Sequence, residues 1–239
     1  MSRYDQFARY YDQVIGDRSE VARLLMRLIR RHAPKARSIL ELGCGSGTML
    51  AALSRRYATT GIDNSRAMLR LAGRKAPRSK LIFGDITDFK ISQHFDVVLC
   101  PFDTMNHITS FALWRKVFEN AHRQLSPQGI FVFDVNTEYK MELYRQDPVT
   151  VEFHRGAFSM VSVRRLRRYR YEVDLSLFRE GPANRFHRES MSLPELVVPS
   201  SKILGELGNY FRRVTLLDPD RARPSAETEE LFFICSKPR

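Results

Sequence analysis

An apolar strand that runs into three alternate glycines and then into a helix leaves a chain few ways to fold, and residues 39–48, Ile39-Leu40-Glu41-Leu42-Gly43-Cys44-Gly45-Ser46-Gly47-Thr48, do so. Glycine permits positive φ and lets a ligand approach the backbone, while the helix that follows offers free N–H groups at its first turn. The passage predicts an α/β domain holding a nucleotide-like ligand at a strand end. The dinucleotide fingerprint G-x-G-x-x-G does not fit, because counting from Gly43 its last glycine would fall on Thr48. Glu41 also argues against a pyrophosphate and suits a cationic or amino-bearing ligand. A tight strand-to-helix turn without a ligand is the plainer alternative.

Two further acids follow at matching places. Asp63, in Gly61-Ile62-Asp63-Asn64-Ser65, ends a second strand, where a carboxylate is placed to accept both hydroxyls of a ribose. It could also cap the helix that starts near Ser65. Asp85, in Phe83-Gly84-Asp85-Ile86, ends a third strand. Acids at successive strand ends describe a site on the carboxyl edge of a sheet.

The surrounding pattern agrees. Strands are expected at Ser38–Leu42, Ala58–Ile62, Lys80–Phe83, Phe95–Cys100 and Ile130–Asp134, with helices at Thr48–Arg56, Ser65–Lys75 and Phe111–Gln124, the last stopped by Ser126-Pro127-Gln128-Gly129. Upstream, Asp17-Arg18-Ser19-Glu20 has the form of a capping box opening a helix to about His32. After residue 150 the periodicity changes to two in Phe158–Val163, Tyr169–Phe178 and Arg185–Leu193, which reads as an antiparallel meander. A helix near Ser200–Leu207 and strands at Arg212–Leu217 and Leu231–Ser236 then resume the α/β style.

Charge complicates this picture before it helps. With 39 basic and 27 acidic residues the 239-residue chain carries a formal +12, a balance that invites a nucleic-acid reading. Residues 1–37 hold nine bases and four acids, and residues 153–188 hold nine arginines and three acids, so these two segments carry nearly all of the excess. The rest is close to neutral. No apolar run reaches the roughly 18 residues of a membrane span, and the polar N-terminus has the form of neither a secretory signal nor a transit peptide, so a cytoplasmic location is expected. Cys44, Cys100 and Cys235 are too scattered for a disulfide framework or a zinc site, and no metal is expected.

Taken together, ELGCGSG, GIDNS, GDI, FDVVLCPFDTMNHI and LSPQGIFVFDVNT resemble the motifs of class I S-adenosylmethionine-dependent methyltransferases along nearly the whole chain. Among these the chain is most similar to small-molecule N-methyltransferases of the amino-sugar and glycine type, which share the Arg-Tyr-Tyr-Asp stretch near the N-terminus and an antiparallel insert. The resemblance implies a Rossmann-like doubly wound sheet of seven strands with the last antiparallel. It implies a helical lid at 1–37, a cofactor domain at 38–150 and 195–239, and a β insert at 151–194 that forms an acceptor pocket or a homodimer contact.

For S-adenosylmethionine the resemblance implies Gly43, Cys44 and Gly45 along the methionine part, Glu41 near its amino group, and Asp63 on the ribose. Asn64 and Met68 would border the adenine, and Asp85 with Ile86 would bind its edge. Cys100-Pro101 would close over the methionine, and Tyr11 would cover the cofactor from the N-terminal helix.

Methyl transfer from a sulfonium is an in-line displacement, so positioning supplies much of the catalysis. An amine must still be neutral to attack and a hydroxyl must give up its proton, so a nearby base helps, and the acceptor atom is expected to be a nitrogen or an oxygen of a small metabolite. His107 with Asp103 is the candidate pair, and Tyr4, Phe102 and Asn106 are candidates to meet a small-molecule acceptor. The chain lacks the Asn/Asp-Pro-Pro-Tyr/Phe box that holds a planar base nitrogen. The arginine-rich stretch 161–171 could grip RNA, but it reads better as a hairpin whose tip arginines are solvated; one or two of them could instead reach the acceptor pocket. A cofactor-binding regulatory protein without turnover is the reading from another class.

Overall fold

The computed structural model describes residues 4–153, 157–182, 185–221 and 223–238. Seven strands form the main sheet: β1 (Ser38–Leu42), β2 (Ala58–Asp63), β3 (Lys80–Phe83), β4 (Phe95–Cys100), β5 (Leu125–Asn136), β10 (Phe211–Leu217) and β11 (Glu230–Pro238), ordered β10-β11-β5-β4-β1-β2-β3. Strands β1 to β5 pair in parallel, while β11 runs antiparallel to both β5 and β10. The order reverses between β1 and β4, the crevice where ligands bind in open α/β sheets.

The central strands are buried on both sides, as expected of near-continuous apolar runs such as Val97-Val98-Leu99-Cys100. On one face Leu40, Val98, Phe131 and Phe133 pack with Trp114 and Phe118 of α5 (Phe111–Gln124). On the other, Ile39, Val97 and Val132 meet Leu25, Leu28 and Ile29 of α2 (Ser19–His32) together with Met49 and Leu53 of α3 (Thr48–Leu53). The segment 1–37, expected as one lid, therefore divides. Helix α2 is a layer of the core, and α1 (Tyr4–Ile15) alone lies over the strand ends.

Two local expectations change. Helix α2 starts one residue later than a capping box at Asp17 requires: Asp17 accepts from the backbone and hydroxyl of Ser19, and Glu20 turns to Arg23. The stop after α5 is not a separate turn either, because β5 begins at Leu125 and residues 126–129 bulge between the Phe95–Leu125 and Val97–Ile130 pairs.

A second, four-stranded antiparallel sheet is made of β6 (Val149–Phe153), β7 (Ala157–Arg167), β8 (Arg170–Gly181) and β9 (Arg185–Leu196). It follows α6 (Glu138–Gln146) and precedes α7 (Ser200–Leu207). Side chains alternate across a strand, so one face of this sheet presents a single set of residues toward the main domain. That face closes the space above the glycine loop.

Candidate active site

The turns after β1, β2 and β4, helices α1 and α6 and the second sheet enclose one cavity of about 700 Å³. Its floor is set by backbone geometry. Gly43 and Gly45 have φ of 73° and 51°, in the left-handed region that favours glycine. A Cβ on Gly43 would lie 2.5 Å from the Thr104 methyl, and one on Gly45 would point at the Tyr11 ring 3.9 Å away. Gly47 leads into α3, where a Cβ would come within 2.8 Å of the Ala72 backbone in α4 (Arg66–Lys75).

Asp63 ties this loop to the second strand. One carboxylate oxygen accepts from Gly45 N–H and the other from Ser65 N–H, each at 2.8 Å. The cap of α4 is Ser65, whose hydroxyl accepts from Met68 N–H. At Asp85 a single oxygen, Oδ1, accepts from both the backbone and hydroxyl of Thr87. Asn64, Met68, Asp85 and Ile86 line the same end of the cavity.

Helix α1 is latched over this floor. Asp12 accepts from Ser46 and Lys75, both at 2.6 Å, and more distantly from Thr48. Partial burial pushes the Asp12 carboxyl up, but the hydrogen bonds from Lys75 and Ser46 outweigh it and hold it below its ordinary range. The latch brings Tyr4, Tyr11 and Val14 to the cavity. Arg18, at the head of α2, also lines it, 4.8 Å above the Phe102 ring, with its buried Nε making no hydrogen bond to protein.

Several residues that the sequence motifs point to lie away from the cavity. Glu41 is buried in β1 beneath the loop rather than on the cavity surface; burial, then Asp63, pushes its carboxyl well up. Cys44 turns away to pack with Leu50 and Ala76, in space that Gly61 leaves open. Cys100 and Pro101 are buried at the end of β4 and do not reach the surface of the cavity. Asn106 is likewise absent from the wall: its amide bonds to Asn136 O, Leu196 O and Asn136 N–H, joining β5 to the end of β9.

The other end of the cavity gathers titratable groups. Phe102 and Asp103 both have positive φ, 63° and 48°, unusual for residues with a Cβ. Their N–H groups each donate to Asp134 at 2.8 Å, one to each carboxylate oxygen. Burial, then Glu230, pushes Asp134 up to about 8. The turn so held sets Asp103 Oδ2 3.8 Å from His107 Nε2, which is also 3.0 Å from the Tyr4 hydroxyl. On the opposite edge of the ring Nδ1 stands 3.9 Å from Glu195 Oε1.

Burial lowers the His107 pKa, against Asp103, and raises the Glu195 carboxyl well above its usual range. It also raises the Tyr4 phenol, so Tyr4 keeps its proton at neutral pH, and its hydroxyl hydrogen-bonds Nε2 in the direction that the ring's tautomer sets. Asp103, His107 and Glu195 offer ligand atoms within 4.8 Å of one another. Their closest approaches use opposite ring nitrogens, however, the arrangement of a positioned imidazole rather than of ligands converging on an ion.

Arg18, Asp134, Asn136, Lys140, Glu195 and Glu230 also belong to the site, and sequence motifs do not single them out. Only Glu195 carries a readable sign: it continues Met191 and Leu193 at period two, an acid in register with an apolar face. The arginines of the stretch 161–171 do not reach the cavity, though Val161 and Val163 line it. The hairpin turns at Arg168 and Tyr169; Arg164 pairs with Glu172 and Asp174, Arg165 with Glu138 and Glu142, and Arg170 donates to Thr109 O.

Residues 39–129 match a family model described as a methyltransferase domain. Over 111 residues the chain is 34% identical to a dTDP-3-amino-3,6-dideoxy-alpha-D-glucopyranose N,N-dimethyltransferase of Streptomyces fradiae, covering 46% of this chain and 44% of that protein, so it spans less than half of this relative's length. A solved S-adenosylmethionine-dependent methyltransferase from Clostridium acetobutylicum has the same fold, with TM-score 0.82 and 20% identity over 98% of this chain and 99% of that one. So does a SAM-bound amino pentose methyltransferase from Micromonospora echinaspora, with TM-score 0.78 and 17% identity over 99% and 97%. Among the described residues no helix is long and apolar enough to cross a membrane.

Proposed function

We propose that the chain, whose residues 39–129 match a methyltransferase family model, is a class I S-adenosylmethionine-dependent methyltransferase that methylates the nitrogen of a small-molecule amine. The observation that carries this reading is His107 set between Asp103 and Glu195 in the cavity that also holds the glycine loop, a place for a proton acceptor, and the amino-sugar substrates named for the relatives favour nitrogen over oxygen. The residues fit the cofactor: Gly43 and Gly45 leave room for it, Asp63 sets a carboxylate at the cavity wall where a ribose would lie, and the unpartnered Nε of Arg18 suits a carboxylate. When bound, the cofactor supplies an electrophilic methyl group on a sulfonium.

The chain's own residues then do four things. Asp103 attracts the acceptor as an ammonium, because the acids at this end outnumber the cations. His107 Nε2 takes the proton that must leave before the nitrogen can attack, relayed by the Tyr4 hydroxyl, which accepts it while passing its own to Nε2. Asp134 fixes the turn that aims Asp103. The second sheet and α1 exclude water and hold the acceptor in line. The amino-sugar substrates named for the relatives support an amine acceptor; a nucleic acid is disfavoured because Arg164 and Arg165 of the hairpin are engaged in ion pairs with acids of the chain itself. The test is turnover of matched amine and alcohol acceptors, with S-adenosylhomocysteine release as the readout. Methylation of the alcohols alone would overturn the nitrogen assignment.

A further inference from the structure

We infer that the acceptor amine is carried on an apolar, phosphate-free body that lies along the inner face of the second sheet, with its nitrogen at the Glu195 end. This rests on the N-methylation reading above and specifies its substrate class. Strand register places Val161, Leu175 and Met191 side by side, and Val163, Val173 and Leu193 beside them, and all six line the cavity. One step further along the same face of β9 comes Glu195, next to His107. At roughly 3.3 Å per residue, the face from Met191 to Glu195 is about 13 Å long. Val14 of α1 and Met141 of α6 add apolar surface to the cavity wall.

The charges agree. Among the described residues lining the cavity the only lysines and arginines are Arg18 and Lys140. Arg18 lies over Phe102, and the Lys140 ammonium is held by Glu230 at 2.9 Å. Asp103, Glu195 and Glu230 stand at the same end as Lys140. A diphosphate placed on the apolar rows would lose its hydration with no cation on those rows to replace it, which is costly. An ammonium on a hydrocarbon body gains at both ends.

The test is calorimetry on the protein saturated with S-adenosylhomocysteine, titrated with straight-chain amines from butylamine to octylamine, the matched 1-alkanols, and thymidine diphosphate. Each buried methylene should tighten amine binding about fourfold, and thymidine diphosphate should not bind. Val173→Thr, a near-isosteric change, should weaken octylamine more than butylamine while leaving S-adenosylhomocysteine affinity and melting temperature unchanged. Affinity independent of chain length, or tight binding of thymidine diphosphate, overturns the apolar-body inference. Alkanols that match the amines, with the chain-length dependence intact, overturn the nitrogen assignment alone, so the two readings fail separately.

Discussion

The glycine-loop wall of the cavity and the wall built by the second sheet are made in different ways. The first consists of backbone turns and short acids at the tips of β1, β2 and β3, where glycines with positive φ and Asp63 leave little freedom to either chain or ligand. The second is a flat sheet face of aliphatic side chains, with Glu195 at one end, where it meets His107 and Asp103 from the turn after β4. Hydrogen-bond geometry specifies a ligand closely, while apolar area specifies only size and hydrophobicity. One wall can therefore serve a fixed cofactor while the other sets which acceptor is taken.

The sharpest way to separate the walls is His107→Ala. It should lower kcat/KM at neutral pH by on the order of 10²-fold while leaving S-adenosylhomocysteine affinity unchanged. Burial holds the His107 pKa below its ordinary 6.5, so wild-type activity should persist through neutrality and fall only as pH drops through that lowered value, where the ring gains its proton. The variant should lack this acid limb. A pH profile identical in the two proteins would remove His107 from the chemistry.

A smaller effect should come from Asp12→Ala, which cuts the latch to Ser46 and Lys75. The cofactor KM should rise about threefold to tenfold, the scale of a few exposed hydrogen bonds, with kcat changed less. A fall in kcat at constant KM would mean that α1 orders the acceptor wall instead. Smallest of all, Arg164/Arg165/Arg167/Arg168→Ser should alter small-amine turnover by less than about twofold, because these arginines sit in exposed pairs or at the hairpin tip. A large loss, or a steep salt-dependent RNA affinity that disappears with the arginines, would favour an RNA acceptor.

The two walls are also unequally legible in the sequence. Gly43, Gly45, Asp63 and Asp85 can be placed from sequence because positive φ and strand-end acids are local requirements, satisfied by a few consecutive residues. The seven-stranded sheet, with its antiparallel final strand, follows from the alternation of strands and helices and from the family resemblance. The acceptor wall depends on registers between strands far apart in the chain: nothing near Glu195 announces His107, 88 positions upstream, and Asp134 reads as one more residue of a strand until its bonds to Phe102 and Asp103 are seen. Glu41, Cys44 and Asn106 depart from expectation for a related reason. A side chain's position in a motif does not say which side of the backbone it takes, and these three turn into the interior.

The +12 charge changes meaning in the same light. Among the described residues of the two rich segments, Arg18 is the basic residue that lines the cavity, where it lies over Phe102, and the described insert arginines stay outside. The roles of both walls depend on the glycine-loop wall being a cofactor site. The most direct measurement is titration of S-adenosylhomocysteine into the wild-type protein and Asp63→Ala by calorimetry. The predicted result is binding to the wild type that the substitution weakens about tenfold or more, the cost of lost charge-assisted hydrogen bonds to a ribose. Equal affinity in the two proteins, or no binding to the wild type, would contradict it.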